Sequence, residues 1–509
     1  MTADDRVVGA RLPDGFMVRL DRRARVLDGA AALLGLSPGR LLHLAPAARR
    51  LLGTGRELRV GDRTSALLAR RLLDAGIAHP VPPHPAAVAP AGPAESEVSV
   101  VIPVRDRPDE LRRLLAALAA TTGRLAEVIV VDDGSSEPRR CRCVVERSGL
   151  PARVLRHETS RGPSAARNTG LRAARAELVM FLDSDVVPRP GWLAPLRAQL
   201  ADPSVALAAP RIVGLPADPG GAARRRGAAS WLEGYERLRS SLDLGPDPAP
   251  VLPRGRVAYV PSAALLTRRR VLLELAGFDE HMRVAEDVDL LLRLHAARWR
   301  SRYEPGALVA HEHRAEPGRW WVRKAFYGTG AAPLAVRHPG SVPPMVLAPW
   351  TAAVCLLLGT QRRYTTVAAA GVTVAAGLRL RRTLRRLRHP GRVAALLTGL
   401  GLYGAAEQTA NLMTRHWWPL TGLGCLVSAR VRRAALAAAL VEGLVDWYRH
   451  RPGPGEPPGL DPLRYLVAHR ADDLGYGAGL WWGAIRARTL APLLPAVTRR
   501  KIGSPVRSW

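Results

Sequence analysis

Residues 176–188 read AELVMFLDSDVVP. The apolar run Leu178-Val179-Met180-Phe181-Leu182 has no polar alternation, the pattern of a parallel-sheet strand covered on both faces. It runs straight into Asp183-Ser184-Asp185. Ligands of open α/β sheets gather at the carboxyl ends of the strands, where these two carboxylates stand. The i, i+2 spacing turns both toward one side of an extended chain. Two hard oxygen donors on one side suit a Mg²⁺ or Mn²⁺ carrying a diphosphate. Alone, the triplet also reads as a pair of solvated loop aspartates, so the flanking chain has to decide.

Working outward, Val98-Ser99-Val100-Val101-Ile102-Pro103-Val104 reads as a first strand. Pro108-Asp109-Glu110 opens a helix, with proline in the first turn and acids at the positive dipole end. Leu111, Leu114, Leu115 and Leu118 recur at i, i+3, i+4 and i+7 and give it one packed face. Val128-Ile129-Val130-Val131 is a second strand, ending at Asp132-Asp133-Gly134-Ser135. Arg153-Val154-Leu155 and a helix over 164–175 complete the approach to Leu178. Strands alternating with helices predict an α/β fold with a mostly parallel, doubly wound sheet.

The segments VSVVIPVRDRPDELRRLL, EVIVVDDGSS, RGPSAARNTG, LVMFLDSDVVPRPGWL and GFDEHMRVAEDVDLLLRL follow one another in the order found in family 2 glycosyltransferases, the large GT-A-fold group. The chain resembles that family from about Val98 to His313. With its N-terminal module and basic C-terminal helices, it is most similar to the glycosyltransferases of mycofactocin biosynthesis. The resemblance implies a GT-A nucleotide-diphospho-sugar transferase fold with Mg or Mn as cofactor. It implies transfer of a hexose, glucose from UDP-glucose, to a peptide-derived mycofactocin precursor, with inversion at the anomeric carbon.

Site roles are implied residue by residue. Pro103, Asp132 and Asp133 frame the nucleotide. Asp133 is the better match for a base or ribose contact, and Asp132 reads equally well as a turn cap. Arg105-Asp106 stands where many relatives carry an aromatic and Asn, which leaves UDP or GDP open. Arg161 to Asn168 opens a helix whose first-turn N–H groups can face a pyrophosphate, and Arg167 matches an arginine near the diphosphate or donor sugar. Asp185 is the expected metal ligand, while Asp183 contacts ribose or the metal through water. Asp287 is the expected base for the acceptor hydroxyl. Glu286 and Asp289 are its alternates, with helix-start electrostatics the plain reading of Asp289. His311, after the strand-like 307–310, is either a further metal or diphosphate ligand or a hydrogen-bonded structural histidine.

Composition bounds the rest. The 509 residues carry 75 Lys and Arg against 44 acidic residues, a net charge of +31. Lys324 and Lys501 are the only lysines, so GC-rich codon usage explains part of the excess. A basic surface favours anionic partners. With 5% aromatics and no zinc finger or RNA-recognition signature, nucleic acid is not expected to be one of them. Cys141, Cys143, Cys355 and Cys425 form no disulfide framework and no zinc spacing.

The expected organisation has five parts. Residues 1–80 form a small winged-helix-like α+β module, a peptide-recognition domain or an inert extension. Residues 81–96 form a Pro/Ala-rich linker; His79, just ahead of it, and His84 within it are read as solvated. Residues 97–340 form the GT-A domain. Residues 341–450 form an apolar and arginine-rich helical region, and 451–509 a tail bearing Trp481-Trp482. Trp320-Trp321 and Lys324 to Tyr327 are candidates for an acceptor groove. The helical region is expected to lie on the inner leaflet, placing the enzyme on the cytoplasmic side of the membrane, with a soluble appendage as the alternative. A cell-envelope polysaccharide or glycolipid transferase and a non-catalytic basic scaffold are the rival functions.

Overall fold

The computed structural model describes residues 10–36, 39–53, 55–81, 92–215, 228–312, 316–453 and 459–498. These form two compact units, one from the described residues up to 215 together with 240–312, the other from 228–239 together with 316–498.

The first unit is built on a nine-stranded sheet. In chain order its strands are β1 (Val98–Val104), β2 (Glu127–Asp133), β3 (Ala152–His157), β4 (Leu178–Leu182), β5 (Val186–Pro188), β6 (Val205–Gly214), β7 (Ala249–Pro250), β8 (Ala264–Arg268) and β9 (Arg300–His311). Their spatial order is β5-β9-β6-β8-β4-β1-β2-β3, with β7 also on β9. β4, β1, β2 and β3 run parallel, as do β6 and β9. β8 enters antiparallel to both β4 and β6, so the sheet is parallel on one side and mixed on the other. The parallel side is where Pro108–Thr121, Pro138–Glu146 and Pro163–Ala173 supply the helical crossovers that parallel pairing requires.

Leu178, Met180 and Leu182 feed one hydrophobic core, and Val179 and Phe181 feed the other. Burial on both faces is why the run lacks polar alternation. The helix Pro108–Thr121 buries Leu111, Leu114, Leu115 and Leu118 against the first core, the face its spacing predicts.

The N-terminal module packs two three-stranded antiparallel sheets and the helices Pro46–Leu52 and Arg63–Asp74 around its own core. Asp62 caps the second helix, accepting from Ser65 N–H at 2.7 Å. The module's strands include Ala32–Leu36 and Ala78–Pro80. The second corrects the reading of His79. Pairing with Met17–Leu20 draws the ring inside, where its Nε2 lies 2.7 Å from an Asp21 oxygen. His84 and most of the 81–96 linker lie outside the described residues. Arg70 grips Asp202 through two bonds of 2.5 and 2.7 Å, and Arg300 holds Asp74 at 2.7 and 2.8 Å, so the module is ion-paired to the large sheet.

The second unit is helical. Where a tail was expected, a 25-residue helix, Pro462–Arg486, packs on Pro317–Thr329. Its glycines permit the approach: a Cβ on Gly479 would meet the Ala325 carbonyl oxygen at 1.7 Å. Trp320 and Lys324 are buried in this unit. The indole Nε1 donates to Glu236 at 2.7 Å, and Lys324 Nζ lies 2.8 Å from Glu236 and 3.0 Å from Asp472. Trp481 donates to the His416 carbonyl, and Trp482 is exposed. No helix among the described residues is long and apolar enough to cross a membrane.

Candidate active site

The ends of β1, β2, β4 and β9 and the start of the helix Glu286–Ala296 carry the expected site residues. Asp183 and Asp185 follow β4. Asp185 is paired with the Arg107 guanidinium, and His311 Nε2, from the end of β9, lies 3.4 Å from its other oxygen. Burial pushes the Asp185 carboxyl up, but the hydrogen bond and charge of His311, then those of Arg107, outweigh it and hold it below the ordinary range. Asp183 moves the other way, raised by burial against the pull of Arg167, with the charge of Asp185 adding to the rise.

Arg167, matched to an arginine near the diphosphate or donor sugar, is drawn into the interior. It is almost fully buried, with the Phe278 ring 5.4 Å from its guanidinium carbon. Nη2 donates to Asp183 at 2.6 Å and Nη1 to Glu286 at 3.1 Å. One guanidinium thus joins the carboxylates after β4 to those opening the helix at Glu286. Next to Glu286, Asp287 accepts, among the described residues, from backbone alone: Val288 N–H at 2.8 Å and Ser262 N–H at 3.2 Å. Burial first, and then the charge of Glu286, push its carboxyl up to about 7. Ala285, just ahead, has φ 64, a left-handed conformation that costs an alanine about 1–2 kcal/mol and persists only where the surroundings enforce it. Asp289 is buried and holds Arg293 at 2.7 Å, an internal helix pair.

Asp132 and Asp133 close β2. Asp132 accepts from Ser135 N–H at 2.9 Å and from Arg156 at 2.6 Å, which makes it a turn cap. Asp133 takes Arg161 N–H, Gly162 N–H, the Ser160 hydroxyl and the His157 ring at 2.7–2.8 Å. Its carboxylate therefore fixes the loop that launches the helix Pro163–Ala173. Pro103 is buried in β1, opposite Val131. Asn168 clamps the 278–280 loop, donating to the Phe278 carbonyl and accepting its N–H, both at 2.8 Å.

Two residues escaped the sequence reading. Arg107 precedes Pro108 in an exposed-looking RDRP stretch that carries no sequence signal for it. Ser262 offers none beyond being a polar residue before an apolar strand; its hydroxyl donates to Glu286 at 3.1 Å.

The sequence profile described as Glycosyl transferase family 2 matches residues 99–252, and that of Glycosyl transferase family group 2 matches 178–436, about half the chain. A protein of Mycobacterium tuberculosis named pre-mycofactocin glycosyltransferase is 47% identical over 500 residues, covering 96% of this chain and 100% of that one. The chain is a family 2 glycosyltransferase. This family 2 glycosyltransferase has the GT-A fold and a helical C-terminal region. A Myxococcus xanthus O-antigen biosynthesis protein is 31% identical over 211 residues, 39% of this chain and 16% of that one. A Pyrobaculum calidifontis mannosyltransferase solved with GDP-mannose and Mn²⁺ is 19% identical, with TM-score 0.35 over 68% of this chain and 86% of its own.

Proposed function

We propose that the enzyme transfers glucose from UDP-glucose, with inversion, to a peptide-derived redox-cofactor precursor of the mycofactocin type. The observation that carries the chemistry is the buried Arg167 bridge, which links the Asp183 and Asp185 side of the site to Glu286 and Asp287. The 47% identity along the whole pre-mycofactocin glycosyltransferase supports the acceptor class.

The donor set fits a divalent ion. Asp185 and Asp183 offer hard carboxylate oxygens and His311 an imidazole, and the carboxylate pair already draws two guanidiniums, the charge such an ion brings. Asp185, Asp183 and His311 would hold Mg²⁺ or Mn²⁺, which would supply Lewis-acid stabilisation of the departing nucleoside diphosphate. Asp287 takes the proton of the acceptor hydroxyl, and a carboxyl titrating near neutrality suits a general base at cellular pH. Attack from the face opposite the leaving group inverts the anomeric carbon in one displacement. Asp133 holds the 160–162 loop so that the Pro163–Ala173 N-terminus faces the diphosphate. Residues 10–80 are assigned to holding the peptide part of the acceptor, which calorimetry of that acceptor against variants of this module tests. The helical region is assigned to the cytoplasmic membrane surface.

The deciding experiment is mass spectrometry of the product from UDP-glucose, a divalent metal and the peptide-derived acceptor. A mass gain of one or more hexoses is expected. Transfer only to polysaccharide or lipid acceptors overturns the acceptor assignment.

A further inference from the structure

Between residues 341 and 441 there are thirteen arginines, no lysine and one acidic residue, Glu407. Two turns distant in sequence meet at one end of this helical unit. The first lies between the helices Pro349–Gly359 and Arg363–Thr383, the second between Trp418–Val427 and Ala429–Ala437. Gln361 ties them together: its Nε2 donates to the Arg430 carbonyl at 2.7 Å, and its Oε1 accepts from Arg433 at 3.1 and 3.2 Å. Neither Trp418–Val427 nor Ala429–Ala437 buries any residue. At their tip Leu426 and Val427 are 79% and 86% exposed, with Leu423 beside them. Across the Gln361 bridge Tyr364 and Val367 are also exposed. Arg362 and Arg363 stand beside Tyr364 in sequence, Arg430, Arg432 and Arg433 follow Leu426 and Val427, and all five are exposed; Arg432 donates to the Cys425 carbonyl next to the tip at 2.8 Å.

We propose that this double turn is a membrane wedge, in which Leu426 and Val427 enter the acyl boundary of an anionic bilayer while the arginine collar binds lipid phosphates. The inference deepens the membrane part of the proposed function and rests on it. Charge complementarity selects the occupant, because an apolar tip ringed by cations matches an interface whose headgroups are anionic and whose interior is hydrocarbon. The 21-residue helix Arg363–Thr383 is about 30 Å long. Its far end therefore carries Arg379, Arg381 and Arg382, with Arg385 and Arg386 just after it, a second arginine cluster away from the wedge that serves as an internal control.

The test is flotation of the full-length protein with phosphatidylcholine vesicles, with and without about 30 mol% phosphatidylglycerol. The wild type is expected to float with the anionic vesicles alone. Arg362→Ser with Arg363→Ser and Arg430→Ser is expected to weaken binding about a hundredfold, at about fivefold per arginine. Leu426→Asp with Val427→Asp is expected to abolish it, with the circular dichroism spectrum and transfer to a water-soluble acceptor unchanged. Retained transfer with lost flotation separates the wedge from the catalytic assignment. Three results overturn the proposal: no flotation of the wild type, an equal loss on neutralising Arg381, Arg382, Arg385 and Arg386, or a wild-type dimer that the Leu426 and Val427 changes dissociate.

Discussion

Asp287 gives the sharpest prediction. A carboxyl with its ordinary pKa near 4 is ionised throughout the neutral range, so a base of that kind gives a flat rate between about pH 6 and pH 8. With the carboxyl pushed up to about 7, about a tenth is ionised at pH 6 and about nine-tenths at pH 8, so kcat/KM rises about tenfold across the interval. Nucleoside diphosphate release from UDP-glucose with acceptor present measures this. Glu286→Gln removes the neighbouring charge and is expected to move the midpoint to lower pH, while Asp287→Asn removes most of the rate. Folding responds with the opposite sign. The folded chain keeps a proton that the unfolded chain releases, so stability falls as pH rises from about 4 toward 7 and stays lower above it. Asp287→Asn escapes that loss and is expected to melt higher than wild type at about pH 8. A flat profile, or an Asn variant with more than about a tenth of the activity, refutes Asp287 as the base.

Asp185→Asn is expected to abolish Mn²⁺ binding in calorimetry, and chelation of the wild type to abolish transfer until Mg²⁺ or Mn²⁺ is returned. Ser262→Ala keeps the backbone bond to Asp287 but loses the hydroxyl on Glu286. A lost hydrogen bond to a charged group is worth about 1.5–3 kcal/mol, so kcat is expected to fall at least about tenfold with KM little changed. Gly479→Val forces a side chain into the Ala325 carbonyl and is expected to destabilise the helical unit by about 3 kcal/mol or more, read as early proteolysis within 316–498. Gly371→Ala, where nothing lies within 4 Å, is expected to be tolerated. Asp202, held at about 2 by Arg70 and the Ser204 donors against burial, contributes about 2 kcal/mol that is present above about pH 4 and lost as pH falls through about 2. Asp202→Asn is expected to remove that acid dependence and loosen residues 10–80 to protease.

Much of the sheet was legible because burial on two faces leaves a compositional trace. The run at 178–182 and the 111–118 leucines each meet the core their pattern predicts. The antiparallel entry of Ala264–Arg268 left no such trace, since a buried strand has the same composition in either direction. Ala78–Pro80 was obscured by the proline-rich stretch that follows it, and with it the burial of His79. The long C-terminal helix was hidden by its own glycines, which lower helix propensity and make sense only against the helix they touch.

At the site, motifs named candidate residues but not what each one touches. Arg167 and Glu286 are 119 residues apart, and only the fold brings them within bonding distance. Once they meet, the charges explain the titration. Asp183, Asp185, Glu286 and Asp287 are four carboxylates served by the guanidiniums of Arg107 and Arg167 and the ring of His311. Arg107 and His311 go to Asp185, and Arg167 divides itself between Asp183 and Glu286. Asp287 is left with two backbone N–H donors and a carboxylate neighbour, and burial with the Glu286 charge pushes its carboxyl up to about 7. In the proposed mechanism, the same allocation that steadies the donor side leaves the acceptor side a base able to give up and regain a proton at working pH.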